Sequence, residues 1–204
     1  MEKHYIYKSV WQDREYNCVI ELKKMMETNK RNVEEIFKKD LHQYLTYIKR
    51  VDERLPEAPD IEALWPKVGE SYMPDAIREF SEYPTVSLGW IMFVGMAIAK
   101  YWDEDWELYS KVEDLYKYMR DSIDFDHMDD YICGKVLLLD EADSKSLSAV
   151  VAECASRTYN LLVHQNLQPG SEEAFRGFVA ALHQMYLMGA AIELKALGYH
   201  MTKL

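Results

Sequence analysis

Cysteine, proline and glycine are scarce in this chain of 204 residues, at three, six and eight respectively. That scarcity excludes collagen-like and low-complexity architectures. The three cysteines, Cys18, Cys133 and Cys154, are odd in number and far apart, and no Cys-x-x-Cys pair occurs. Neither a disulfide framework nor a zinc ribbon is therefore expected, and the thiols fit a reducing cytoplasm. Residues 1–8 hold no apolar core of a secretory signal. The most apolar run, residues 86–99, is too short for a membrane span, which needs about 20 residues.

Basic residues are also in deficit. Lys and Arg number 24 against 35 Asp and Glu, for a net charge of −11. Phosphate binding needs a basic face, so nucleic acid is excluded as a general partner. No GxxxxGK[ST] phosphate loop, GxGxxG turn or GxSxG elbow is present, which disfavours nucleotide-dependent and serine-hydrolase chemistry. The di-iron signature Glu-x-x-His and the zincin signature HExxH are missing too.

Helical periodicity dominates what is there. Val33, Phe37, Leu41, Tyr44, Ile48, Val51 and Leu55 recur at spacings of four and three, one stripe of a helix. Asn32 and Glu35 resemble a capping pair at its start. Tyr16, Val19, Leu22 and Met26 indicate an earlier helix. Five of the six prolines fall within residues 56–84, which predicts a connector with at most short helices, packed on the core through Ile61, Leu64, Trp65, Val68, Tyr72 and Met73. Pro84 suits a first turn, and the stretch after it has no polar face, so that helix should be buried all round. Gly89 and Gly95 would let a neighbouring backbone come close. Further helices are expected from Asp103, from Asp126 and from Ser144 or Ser146. A last central helix should open at Ser171, with Gly177 and Ala181 as a second close-approach pair. The expected fold is all-α: a single-domain bundle of about seven helices, with residues 1–55, 56–84 and 85–204 as possible subdivisions.

The charge is unevenly placed. Residues 103–143 carry fourteen acidic and four basic side chains, which is nearly the whole net charge. Helix capping accounts for some of these carboxylates. The remainder point to an acidic surface, built from Asp103, Glu104, Asp105, Asp126, Asp129, Asp140 and Glu141, that meets a basic protein partner or a second copy of the chain in a homodimer. Such a protein would be non-catalytic and cytoplasmic. The alternative is a metal- or small-molecule-binding bundle, possibly an enzyme. Its site would be Asp124, His127 and Asp130, with His164 or His183 completing it; imidazole among carboxylates favours a transition metal. Tyr101 and Trp102 beside Asp103, Glu104, Asp105 and Trp106 suggest a seat for a cationic group.

Overall fold

The computed structural model describes residues 31–121, 123–165 and 168–200. The expected helix at Tyr16, Val19, Leu22 and Met26, together with Cys18 and the side chains of Asn32 and Val33, lies outside the described residues. Those described form eight α-helices and no strand: α1 (Arg31–Tyr47), α2 (Pro59–Ala63), α3 (Trp65–Phe80), α4 (Pro84–Tyr109), α5 (Leu115–Arg120), α6 (Met128–Tyr131), α7 (Glu141–His164) and α8 (Glu172–Ala196). A 3-10 turn (Phe125–His127) precedes α6, and a π-helical turn (Ile132–Val136) follows it.

Helices α4 and α8 pack on each other along their length and form the centre. They run in the same direction. Phe80, just before α4, touches Phe178 near the start of α8, while Asp103 near the end of α4 binds Tyr199 just past the end of α8. Their backbones meet at two glycines. A Cβ on Gly95 would lie 2.1 Å from the Tyr186 carbonyl oxygen, and one on Gly189 would lie 2.0 Å from the Met92 carbonyl oxygen. Only a hydrogen fits there, so each Cα points a C–H at the facing carbonyl. Glycine inside a helix costs about 1 kcal/mol. Burying one of the surrounding Met92, Met96, Ile98, Leu182 or Met185 side chains gains about 1.5–3 kcal/mol, so close packing wins. Gly95 behaves as expected. On α8 the contact falls at Gly189, further along than the Gly177–Ala181 pair. Gly89 faces the Val151 side chain of α7 rather than a backbone.

By length and composition α4 and α8 could each cross a membrane, but 72% and 94% of their most apolar stretches are buried against the rest of the chain. Around this pair, α1 and α7 are tied by Arg157, which forks onto both Asp40 oxygens at 2.9 Å and lies over the Tyr44 ring.

The proline-rich stretch departs from expectation. It is not a connector with short helices only: α3 has 16 residues, with Pro74 inside it. Pro59, Pro66 and Pro84 sit in first turns, where a missing N–H costs nothing. Pro74 does cost, by about 3 kcal/mol. Burial of Trp65, Val68, Tyr72, Met73 and Ala76 offsets it. Two buried hydroxyls then pin α3 to α4. Tyr72 donates to the Ser87 carbonyl at 2.5 Å, and Ser87 Oγ donates to the Ala76 carbonyl at 2.9 Å.

Several helix ends also differ. The stripe to Leu55 does not stay helical, because α1 stops at Tyr47. Lys49 turns left-handed (φ 62°), Lys49 N–H bonds Thr46 O, and Arg50 N–H bonds Leu45 O. This is the same closure that Gly198 (φ 92°) makes after α8, and lysine there gave no warning of it. Asp103 caps no helix: α4 is kinked at Asp105, which leaves helical geometry (φ −161°, ψ 79°) and accepts the Leu108 N–H at 3.0 Å, so the start of the last helical turn, up to Tyr109, falls two residues later than expected. Asp126 caps nothing, since it lies within the 3-10 turn. Helix α7 starts at Asp140, which accepts the Asp143 N–H at 2.8 Å, rather than at Ser144 or Ser146. Ser171 caps α8 as expected, through the Ala174 N–H.

Alanine at Gly95 or Gly189 should destabilise the fold by about 1–3 kcal/mol, because the backbones must part. Gly134, with nothing within 4 Å of its added Cβ, should accept alanine without loss. Urea unfolding of the three variants checks this.

Candidate functional site

The fold gathers the acidic segment through tyrosines. Tyr101, on the last buried turns of α4, stacks on Tyr109 at 4.3 Å and meets the Tyr118 edge at 6.2 Å. It also shares a hydrogen bond with Tyr131 of α6. Burial, with the neighbouring phenols, raises the Tyr101 hydroxyl far above its ordinary pKa. Tyr109 lies near Glu104 and Asp105, and Tyr131 directly follows Asp129 and Asp130. The acidic group around residue 104 and the group around residue 129 are thus joined through one aromatic cluster.

Cys133 makes the second join. Its thiol, in the π-helical turn, faces Asp129 and Asp130 and hydrogen-bonds with Ser144 on the first turns of α7. Burial, then the two aspartates, push the thiol up to about 11. Asp140 and Glu141 start that same helix. Between the turn and the cap stands Leu138, 72% exposed and left-handed at φ 55°. Its left-handed backbone closes the π-helical turn, with Leu137 N–H on Ile132 O and Leu139 N–H on Cys133 O, and leaves its side chain exposed just before the Asp140 cap.

The carboxylates have different duties. Asp105, Asp114 and Asp140 each accept a backbone N–H at a helix start, which satisfies the amide without cancelling the charge. Asp103 accepts the Tyr199 hydroxyl at 2.8 Å. Glu104 and Glu107 make loose pairs with Lys100 (3.6 Å) and Lys111 (3.4 Å). Asp124, Asp126, Asp130 and Glu141 are exposed. Asp129 is half-buried, and burial raises its carboxyl above the ordinary value. Few local cations offset these charges. Arg120 is drawn to Asp75 at 3.1 Å, where the Tyr116 hydroxyl also donates at 2.5 Å.

Other expectations are corrected. Among the described residues no three His, Cys, Asp or Glu side chains are grouped to hold a metal ion, so Asp124, His127 and Asp130 are not such a group. The helix that would have aligned His127 with Asp130 does not start at Asp126, and their backbone is split between the 3-10 turn and one turn of α6. His164 is exposed on α7 with Nδ1 against the Asn160 carbonyl, and His183 is buried, stacked on Trp65 at 4.7 Å with Nδ1 3.4 Å from Glu34. Tyr101 and Trp102 make no shared cation seat: Tyr101 packs on Tyr109, and Trp102 meets Tyr199 at 5.4 Å. An open cleft of about 250 Å³ between α1 and α7, lined by Asp40, Arg157, Asn160, Leu161 and His164, is smaller than usual ligand sites and already filled electrostatically by the Asp40–Arg157 pair.

Tyr131, Cys133 and Leu138 were not singled out by sequence, because each reads as an ordinary apolar position of a helix. The thiols give a direct check on this geometry. Burial lifts Cys154 to about 12 and Cys133 to about 11, so both carry little thiolate near neutrality. Native alkylation at pH 8 should run at least about 100-fold slower at both than at an exposed thiol of ordinary pKa. Peptide mass spectrometry over time reads the rate at each site. No family model, curated protein or solved structure matches the chain, so the chemistry of this face is read from its geometry.

Proposed function

We propose that this is a non-catalytic helical protein that acts by holding a basic protein partner on its acidic face. The carrying observation is the joining of three acidic groups, around residues 104, 129 and 141, through the Tyr101–Tyr131 cluster and through Cys133. Carboxylates on one side of a small molecule raise the local cation potential and steer a basic surface toward it. The sign of that potential rejects nucleic acid. Exposed Leu138 and Tyr118 supply apolar contact area within the charged surround, the arrangement of an interface with a buried centre and a polar rim.

Burial of the α4 and α8 stretches supports reading them as core helices of a soluble protein rather than membrane spans. The free, buried thiols of Cys133 and Cys154 agree with a cytoplasmic location.

The test uses carboxylates that cap no helix. The combined variant Asp124→Asn, Asp126→Asn, Asp129→Asn and Asp130→Asn keeps side-chain size and removes four charges. Its affinity for a synthetic Lys- and Arg-rich peptide should fall at least about tenfold at about 0.15 M salt, with the melting temperature unchanged. Equal affinity of variant and parent would overturn the reading. Self-association without peptide, seen by sedimentation and lost in the variant, would make the partner a second copy of the chain.

A further inference from the structure

The end of α8 is strapped across the end of α4. After Ala196 the chain closes with Gly198 left-handed, Gly198 N–H on Lys195 O and Tyr199 N–H on Leu194 O. That turn presents Tyr199 to α4, where its hydroxyl donates to Asp103 at 2.8 Å and its ring meets Trp102. On the other side, Lys195 Nζ and His200 Nδ1 both reach Asp52, at 2.7 and 2.9 Å, and hold that carboxyl below its ordinary value. Residues 197–200 therefore bridge α4 and the segment after α1.

Glu193 lies on the turn of α8 just before the strap, where its backbone carbonyl accepts the Leu197 N–H, and it is only 9% exposed. Among the described residues its carboxyl has no hydrogen bond, and a largely buried acid is costly once ionised. From α4 it faces Lys100 and Asp103, the first attracting and the second repelling its charge. Lys100 is already shared with Glu104. The segment after α1 brings Asp52 to the strap, with Lys195 and His200 occupying it. Among the described residues the cation facing Glu193, Lys100, is thus divided, and the facing anion, Asp103, is the group that Tyr199 binds.

We propose that Glu193 is a proton-controlled latch for the C-terminal strap: neutral, it stays buried and residues 197–200 remain docked; ionised, it seeks water, repels Asp103 and loosens the Tyr199 contact. Burial is the largest influence on this carboxyl and, with Asp103, lifts it to about 7, against 4.5 in open water. A raised value in the docked state means docking is favoured at low pH. That advantage is fully present below about pH 4.5, declines above it, and is gone above about pH 7. Between pH 6 and pH 8 the open-to-docked ratio should rise about tenfold.

Hydrogen exchange of the strap amides on the intact protein, corrected for the intrinsic pH dependence of exchange, reads this ratio. Parent protein should lose about tenfold in protection at residues 197–200 from pH 6 to pH 8, while residues 88–99 of α4 keep theirs. In a His200→Gln background, which leaves no imidazole on the strap, Glu193→Gln should hold the strap equally protected throughout. Tyr199→Phe should lower protection at both pH values and retain the pH response, since the latch remains. A parent strap with constant protection overturns the proposal. So does a variant with both Glu193→Gln and His200→Gln that still responds to pH as the parent does, or a loss of protection in α4 that tracks the strap.

Discussion

The described helices are organised on the point where the α4 and α8 backbones touch. With only hydrogens at Gly95 and Gly189, each helix sets its carbonyl against the other's Cα. This contact fixes the register of two parallel helices as well as their distance. Register decides which side chains meet at the far end: Lys100 and Asp103 come beside Glu193, and Trp102 beside Tyr199. It also leaves the flanks of α4 to α3 and α7, through Tyr72 and Ser87 on one side and Gly89 against Val151 on the other. A displacement at the glycines would be carried along both rods, because packed helices have little compressibility.

The acidic segment shows how one residue type serves two purposes. Between Asp103 and Asp143 the chain changes direction repeatedly, through the break at Asp105, the short α5, the 3-10 turn, α6 and the π-helical turn. Each new helix start exposes N–H groups that need acceptors, and Asp105, Asp114 and Asp140 supply them. A cap keeps its negative charge at the surface. A segment with many helix starts therefore accumulates charge outside while satisfying its backbone inside. Tyr101, Tyr109, Tyr118 and Tyr131 pack beneath and give these short pieces a common base.

Much of the fold was legible. Continuous apolarity after Pro84 announced a helix without a wet face, and residues 88 and 91–99 are buried. Ser171 after Pro169–Gly170 announced the start of α8, and its hydroxyl does accept the Ala174 N–H. The proline cluster misled because proline's effect depends on position: three of its members start helices and only Pro74 opposes one. The turn at Lys49 carries no sequence signal because left-handed backbone is usually marked by glycine, whereas here a lysine adopts it between buried Leu45 and buried Val51. Asp103 and Asp105 are two positions apart with the same side chain, so which one capped was undecidable without knowing that Tyr199 claims the first.

The order of residues alone is enough to show that the chain is helical, that α4 and α8 are central, and that its negative charge is concentrated in one segment. These follow from periodicity, apolar content and charge count, which are local properties. The packing of the helices settles that, among the described residues, Asp124, His127 and Asp130 are not gathered into a metal-holding group, that the acidic groups are joined through Tyr131 and Cys133, and that Glu193 is buried beside Lys100 and Asp103. Those outcomes depend on distances between residues far apart in the chain. Such distances are set by which helix faces meet and in what register, and here that register comes from two glycines whose significance appears only when their backbones are side by side.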